Sequence, residues 1–459
     1  MIPRDEFDRR LARATELDRL GRIEEATQAY LSVLALDPTH FATLNNLGTL
    51  LHDAGYRSAA RTAYEEAVRY HPDNAIGHVN LANATLADGA LDAAHTHYGR
   101  ALALAPDDIE AHRGLANLLA ATGDHAAAAD HRRAAYARQP VIAQRYRGNG
   151  SGIPLLLLIG AAGGNVPTRP LIDDRVFQVT ALAPEFFDAA ASLPEHALVF
   201  NAIGDADLAG PALDAADALL ARTRAPVVNL PRAVRETGRA AVARRFAAVP
   251  DVIAPVVVSL PKSALAAGDA AALLARHGLG FPVLLRSPGF HTGQHFARVD
   301  NAAALGATAN ELPGDALLAI EFLDVRGADG LARKYRVMIV DGRLYALHLA
   351  ASPEWKVHYV TSAMAERPDL RDEEAAFLAD MPCVVGARAM TALAAIAREL
   401  ALDYAGIDFA VAPDGRVILF EANATMVVNP PEQDPRWDYR RAPVARVLDA
   451  ARAMLTARA

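Results

Sequence analysis

Residues 41–74 read FATLNNLGTLLHDAGYRSAARTAYEEAVRYHPDN. Two runs with helical spacing of apolar residues flank Gly55, and Pro72 closes the second. The frame recurs through the first third of the chain. Pro38, Pro72, Pro106 and Pro140 stand 34 residues apart, and Gly21, Gly55, Gly89 and Gly123 keep the same step. So do Ala26, Ala60, Ala94 and Ala128, while a ring recurs at Tyr30, Tyr64 and Tyr98 and fails at Arg132.

Each column has a physical job. The glycine supplies the turn between two helices. The alanine lets paired helices approach, the tyrosine fills the gap between neighbours, and the proline ends the second helix. One such pair cannot bury its apolar face, whereas a stack can. The pattern resembles the tetratricopeptide repeat, with units at 7–40, 41–74, 75–108 and 109–142, and so implies an all-α solenoid over 1–142. Such arrays hold peptides or proteins in a groove lined by the first helix of each repeat. Here that helix carries Asn45, Asn46, Asn80, Asn83 and Asn117. Two readings fit these amides: a peptide-binding ladder (Asn46, Asn80, Asn83, Asn117), or hydrogen bonds within the array. The ladder breaks at Gly114, beside Arg113, which is able to meet an acidic group.

The 459 residues, 48.7 kDa, allow about three compact units. A single cysteine, Cys383, excludes an intrachain disulfide and a Cys-type zinc site, and it reads as a small packing residue. The densest apolar run, Pro154–Gly160, is too short to cross a bilayer, and Met1–Arg10 has no apolar signal core. The expectation is a cytoplasmic protein without a membrane partner. A net charge of −8 without a Lys/Arg block argues against nucleic acid.

Beyond a polar link at 143–152, strands alternate with helices. Pro154–Gly160, Val176–Leu182, Ala197–Ile203 and Pro226–Leu230 read as strands of an α/β layer over 153–232, with a helix near Pro211–Arg224. Over 233–459 the expected elements are helices near Thr237–Ala248 and Ala264–His277, and strands Val256–Ser259, Pro282–Arg286 and Leu317–Leu323. A hairpin (Arg336–Val340, Arg343–Leu349) turns at Asp341-Gly342. A long helix covers Val384–Leu400. A second hairpin (Gly406–Val411, Val417–Glu421) turns at Asp414-Gly415, and a helix over Ala442–Ala457 closes the chain.

That second hairpin holds the chemistry. Asp408 sits in an apolar strand, and Glu421-Ala-Asn423 ends its partner. Charges there are costly unless paired or bound to a cation. Glu421 and Asn423 share a strand face, and hairpin pairing brings Asp408 within reach. Three oxygen donors then converge in a way that suits Mg²⁺; the other reading is a carboxylate–amide cluster that braces the hairpin.

Tyr404-Ala-Gly-Ile-Asp408-Phe and Phe420-Glu421-Ala-Asn423-Ala resemble the metal-binding signature of the ATP-grasp superfamily, most of all its glutathione-synthetase-like and ribosomal-protein-modification branches. The resemblance implies an ATP-grasp fold, with a pre-ATP-grasp α/β layer and two α+β subdomains. It implies Mg²⁺ on Asp408, Glu421 and Asn423, and ATP between the subdomains. Phe281–Arg286 looks like the strand offering a cation to the phosphates, and Gly289–Gln294, with Gly293, like the loop covering them. Glu321, Leu323 and Asp324 match the adenine hinge, Asp324 at the ribose position. Arg336 stands where the family has a phosphate- or substrate-contacting arginine, preceded by Tyr335 where an aspartate is usual. The family's two lysines are Arg239 and Arg286 here, which keep the charge but change the geometry. Ala424-Thr-Met-Val-Val-Asn429-Pro-Pro replaces the family's Pro-Gly ending.

The implied activity is ligation of a carboxylate to an amine or other nucleophile through an acyl phosphate, with a peptide or protein substrate held by the repeats. His348, Trp355, Lys356 and His358 either bind an acyl phosphate or shape an acceptor pocket, or are ordinary strand-end residues; His348 and Lys356 are taken with Arg336 as catalytic. Arg440 and Arg441 either cap the last helix or meet a substrate carboxylate. His291 and His295 read as solvated loop positions. A scaffold that senses nucleotide without turnover, and a kinase-like phosphoryl transferase, are the alternatives. A homodimer is left open.

Overall fold

Helices come in antiparallel pairs from the start of the computed structural model, which describes residues 4–290, 293–357, 359 and 362–459. The pairs are α1 (Arg4–Arg19) with α2 (Ile23–Leu34), α3 (Phe41–Asp53) with α4 (Arg57–Tyr70), α5 (Ala75–Ala87) with α6 (Leu91–Leu104), and α7 (Ile109–Thr122) with α8 (His125–Arg138). Gly21, Gly55, Gly89 and Gly123 have φ of 69°, 88°, 79° and 93°. That left-handed backbone is why the column is glycine. Ala26, Ala60, Ala94 and Ala128 are buried, as are Tyr30, Tyr64 and Tyr98.

The tyrosines explain two of the five amides, Asn46 and Asn83. The Tyr64 hydroxyl meets Thr49 at 3.2 Å, and Tyr98 donates to Asn83 Oδ1 at 2.5 Å. Tyr30 meets Thr15, in the same phase, and Asn46. Asn80 Nδ2 donates to Asn45 Oδ1 of the preceding repeat at 2.6 Å. Asn46, Asn80 and Asn83 thus have partners inside the array, while Asn117 is exposed. Gly114 interrupts the ladder for a steric reason: a Cβ there would fall inside the Tyr98 ring.

The last two repeats carry facing histidines one period apart. His78 Nδ1 lies 3.1 Å from His97 Nδ1, and His112 Nδ1 lies 2.7 Å from His131 Nδ1. The outer nitrogens of His78 and His112 donate to the Pro72 and Pro106 carbonyls. At the same phase the second repeat has Leu44 and Ala63. Burial, then the facing imidazole, lowers His97 and His131 below the ordinary histidine value.

Residues 143–459 form the second compact unit. Its first layer is parallel: β1 (Ile153–Leu158) lies between β2 (Phe177–Leu182) and β3 (Leu198–Asn201), and β4 (Val227–Val228) follows β3. Buried on both faces, these strands are nearly all apolar. Asn229, at φ 59°, ties the layer to the backbone at Asp403 and Tyr404. Its side chain accepts from the N–H groups of both residues and donates to the Tyr404 carbonyl.

The rest of the unit holds two antiparallel sheets. The four-stranded one has the order β6 (Val257–Pro261), β9 (Ala316–Glu321), β7 (Val283–Arg286), β8 (Phe296–Val299). The five-stranded one has the order β11 (Arg343–Ser352), β10 (Ala332–Val340), β12 (Tyr404–Val411), β13 (Val417–Asn423), β5 (Val252–Ile253), the last pairing in parallel. Asp341 and Gly342 have φ of 49° and 73°, the backbone a tight β10–β11 turn requires.

Several expectations need correction. The helix over Ala264–His277 is two, Lys262–Leu265 and Ala270–Arg276, parted at Gly268. Strand β8 follows the glycine turn directly, and helices Ala302–Glu311 and Pro368–Ala379 were not anticipated. Cys383 is exposed, not packed: it lies in the first turn of helix Met381–Leu400, where its N–H is capped by Asp380. Counted end to end that span is long and apolar enough to cross a membrane by length and composition alone, but Gly386, at φ 82° and ψ 160°, breaks it into two helical segments. Its Val385, Ala389, Leu393 and Ile396 are buried at the spacing of a core helix.

Two outcomes are expected for the array, whose unfolding is read by circular dichroism, both tryptophans lying beyond residue 350. Gly114→Ala gains about 1 kcal/mol of helix propensity but overpacks Tyr98 by about 1–3 kcal/mol, so the helical midpoint should fall while the tryptophan transition stays. The second concerns pH. A histidine whose folded pKa is depressed contributes stability present above its unfolded value, 6.5, and lost as pH falls through the folded value. The helical midpoint should drop between about pH 6.5 and 5. His78→Leu, His97→Ala, His112→Leu and His131→Ala together restore the pairing of the second repeat and should flatten that slope.

Candidate functional site

One row of side chains crosses the five-stranded sheet. His348 on β11 is opposite Arg336 on β10, Arg336 is opposite Asp408 on β12, and Asp408 is opposite Glu421 on β13. The register therefore brings together residues up to 85 positions apart, Arg336 and Glu421. Bulges at Arg336/Val337 and Asp408/Phe409 aim this row locally.

Charges along the row are paired. Arg336 grips Asp408 through Nε and Nη2 at 2.5 and 2.8 Å, and Lys334 Nζ lies 3.2 Å from the same carboxylate. Burial opposes ionisation of Asp408, yet Arg336 and Lys334 outweigh it and hold the carboxyl far below its ordinary range. Glu421 accepts from Arg239 Nη2 at 2.7 Å and from Asn423 Nδ2 at 2.8 Å. Burial there is outweighed by Arg239 and Arg286, so Glu421 too is lowered. Arg239 starts its helix, Arg239–Phe246, and is also held by Asp207. His348 is buried and kept neutral, first by burial and then by Arg336.

Asp408, Glu421 and Asn423 thus do converge, but already partnered. The Asn423 oxygen accepts from the N–H and hydroxyl of Thr425, at 3.0 and 2.9 Å. Among the described residues no group of three His, Cys, Asp or Glu side chains is placed to hold a metal. Two carboxylates and an amide oxygen on adjacent strands nevertheless suit a hard cation by donor chemistry.

Between the two sheets lies a cavity of about 900 Å³, counted to its open mouth. Ile320, Phe322, Leu323 and Trp355 give it an apolar wall, and Arg239, Arg286, Lys334 and Lys356 reach its charged end. Arg286 ends β7. Its Nη2 donates to the Phe290 carbonyl at 2.6 Å and its guanidinium sits 5.3 Å over the Phe296 ring. Its Nε is buried without a hydrogen bond, and among the described residues no carboxylate lies within ion-pair distance. Burial, with repulsion from Arg239, brings Arg286 down to about 10.

The other sequence-predicted positions divide. Leu323 lines the cavity, and the Glu321 carboxylate accepts from the Val256 N–H at the strand end. Asp324 is exposed and paired with Arg326, which lowers it to about 2, and it is not among the residues lining the cavity. Gly293 has φ 75°, and its carbonyl accepts from Lys356 Nζ at 3.1 Å. His295 is described, at φ 46° against the Phe290 ring, whereas His291 and His358 lie outside the described residues. Arg441 pairs with Asp438.

Sequence reading missed Lys334 and Glu374. Lys334 had a signal: it is two residues before Arg336, hence on the same strand face, and lysine occurs only at 262, 334 and 356. Glu374, wholly buried, accepts from Tyr359, Tyr439 and the Leu349 N–H. Burial raises it despite Arg440 and the tyrosines. No local pattern marked it.

The tetratricopeptide repeat family matches residues 41–74. A fragment of MamA from Desulfovibrio magneticus RS-1 is 25% identical, over 28% of this chain and 72% of its own, at a TM-score of 0.26. A tetratricopeptide repeat protein from Parabacteroides merdae is 19% identical over 29% and 54%, TM-score 0.28. PilF of Pseudomonas aeruginosa is 21% identical over 28% and 59%, TM-score 0.26. No curated protein matches the chain. The chain is therefore a helical repeat region of tetratricopeptide type followed by a mixed α/β region. Such repeats suggest a protein-interaction scaffold.

Removing Arg336 should strand the buried Asp408. Breaking a buried ion pair costs about 3–5 kcal/mol, and Lys334 remains, so Arg336→Met should lie at the lower end. Urea unfolding followed at Trp355 and Trp437 measures it. An unchanged midpoint would mean that Lys334 alone suffices.

Proposed function

We propose that residues 143–459 are an ATP-grasp-type ligase that binds Mg-ATP between the two sheets, and that the repeats hold its peptide or protein substrate. The observation that carries this is Arg286. A guanidinium has five N–H donors, and this one is buried beside an apolar wall with a single hydrogen bond and, among the described residues, no carboxylate at ion-pair distance, Glu421 acting on it only from farther off. Such a cation stands ready for an anion, and a phosphate next to a flat apolar slot describes a nucleotide.

Each residue then has a role. Arg286 and Arg239 bind phosphate oxygens. Ile320, Leu323 and Trp355 exclude water from the base. Asp408, Glu421 and Asn423 would hold Mg²⁺, which supplies charge neutralisation for phosphoryl transfer. Arg239, Arg336 and Lys334 supply that neutralisation to the carboxylates themselves. Neutral His348 leaves Arg336 committed to Asp408. The substrate carboxylate would take the terminal phosphoryl group, and an amine would displace phosphate. Positioning does most of this work.

One observation favours the second reading, a nucleotide-sensing scaffold: the Asn423 oxygen is spent on Thr425. ADP release with candidate peptides separates the two.

Calorimetry with Mg-ATP tests the proposal. Arg286→Ala should weaken binding by about 1.5–3 kcal/mol, roughly ten- to a hundred-and-fifty-fold, and Arg286→Lys should keep part of it. Asp408→Asn and Glu421→Gln should abolish the Mg²⁺ dependence of ADP release. A wild-type chain that takes up no ATP would sink the proposal.

A further inference from the structure

A larger cavity, about 1960 Å³ counted to its mouth, shares Arg286, Lys334 and Lys356 with the first and continues past His348 to Arg440.

The cations along it are not equivalent. Arg336 and Lys334 are committed to Asp408, and Lys356 to the Gly293 carbonyl. Glu421 is held by Arg239, and Glu432 is exposed. Arg440 differs from all of these. Only 12% of its side chain is exposed, yet its guanidinium makes no hydrogen bond among the described residues. Its carbon lies 4.2 Å over the Tyr359 ring, and Nε is 3.3 Å from Glu374 without hydrogen-bond alignment. Glu374 is fully buried and takes the hydroxyls of Tyr359 and Tyr439 at 3.1 and 2.5 Å. The cluster therefore fixes the guanidinium in place, from below by the ring and from behind by the carboxylate, without using its donors. A fixed fork with unspent N–H groups matches a carboxylate.

We propose that Arg440 is a substrate-binding residue that takes a carboxylate at the end of the cavity opposite Arg286, so that one substrate carries an anionic group besides the phosphorylated one. The role as a ligase substrate rests on the ligase reading, whereas binding of the carboxylate does not. The group is borne by a free amino acid or by a peptide C-terminus.

Thermal unfolding of the full chain at tryptophan fluorescence, at constant ionic strength, tests it with malonate as probe and malonamide as its uncharged counterpart. Malonate should raise the midpoint and malonamide should not. Arg440→Gln should weaken the malonate effect at least tenfold and Arg440→Lys less, while Arg441→Gln, whose guanidinium is paired with Asp438, leaves it. If Arg440→Gln does not fold, Arg440→Lys against wild type decides. No malonate effect in wild type, an equal effect in the Arg440 variants, or loss in Arg441→Gln alone overturns the proposal. In a positive case, N-acetylalanine that reproduces the effect, set against free alanine, assigns a peptide end or an amino acid. Mg-ATP calorimetry on the same proteins reads the nucleotide proposal separately: its failure leaves the malonate result standing.

Discussion

A carboxylate in the middle of a β-sheet stays ionised only with cations at contact distance, and the geometry of residues 143–459 results from meeting that condition at Asp408. Arg336 must stand opposite it, which fixes the register of β10 against β12. Lys334 must lie on the same face, which fixes the strand's pleat. Glu421, brought opposite by the hairpin, then needs its own cation, and Arg239 arrives from a helix that starts there. A slip of one residue would turn every one of these side chains to the other face. Register and charge thus specify each other.

The repeat unit solves a different problem, with tyrosine. A phenol buried between helices needs a partner for its hydroxyl, and Thr15, Thr49 and Asn83 supply it at one phase. Burial pushes Tyr98 up to about 12, so the hydroxyl keeps its proton to donate. Asn46 and Asn83 follow from this packing, whereas Asn45 and Asn80 bond each other across repeats. Where the ring changes to Arg132, that phase no longer answers to a phenol.

This difference governs what the sequence made legible. The 34-residue period is local and repeated, so its helices, turns and glycine column were readable from spacing. The β12–β13 hairpin was readable as well, since its partners are close in sequence and alternation sets the face. Arg336 opposite Asp408 lies 72 residues away, and it came from resemblance instead of pattern. Glu374 had neither period nor neighbour: its tyrosines and Arg440 come from other elements. Asp324 misled because an acid after a strand looks available, while Arg326, two residues on, takes it. The helix Pro368–Ala379 buries Leu370, Phe377 and Leu378 in a segment rich in charge, which weakens the apolar signal.

Arginine placement also separates structural from binding cations. A guanidinium used for structure is identified by what it donates to, and Arg336 spends both ends of its fork on one carboxylate. Arg286 and Arg440 are as enclosed as structural arginines but leave most donors unused among the described residues. Burying a guanidinium with donors unpaired is unfavourable, and the fold accepts that cost at Nε of both arginines, at two points of a connected cavity. Both are fixed by aromatic rings, Phe296 under one and Tyr359 under the other. A ring holds the position of a guanidinium without consuming its N–H groups, which is what a preorganised anion site requires.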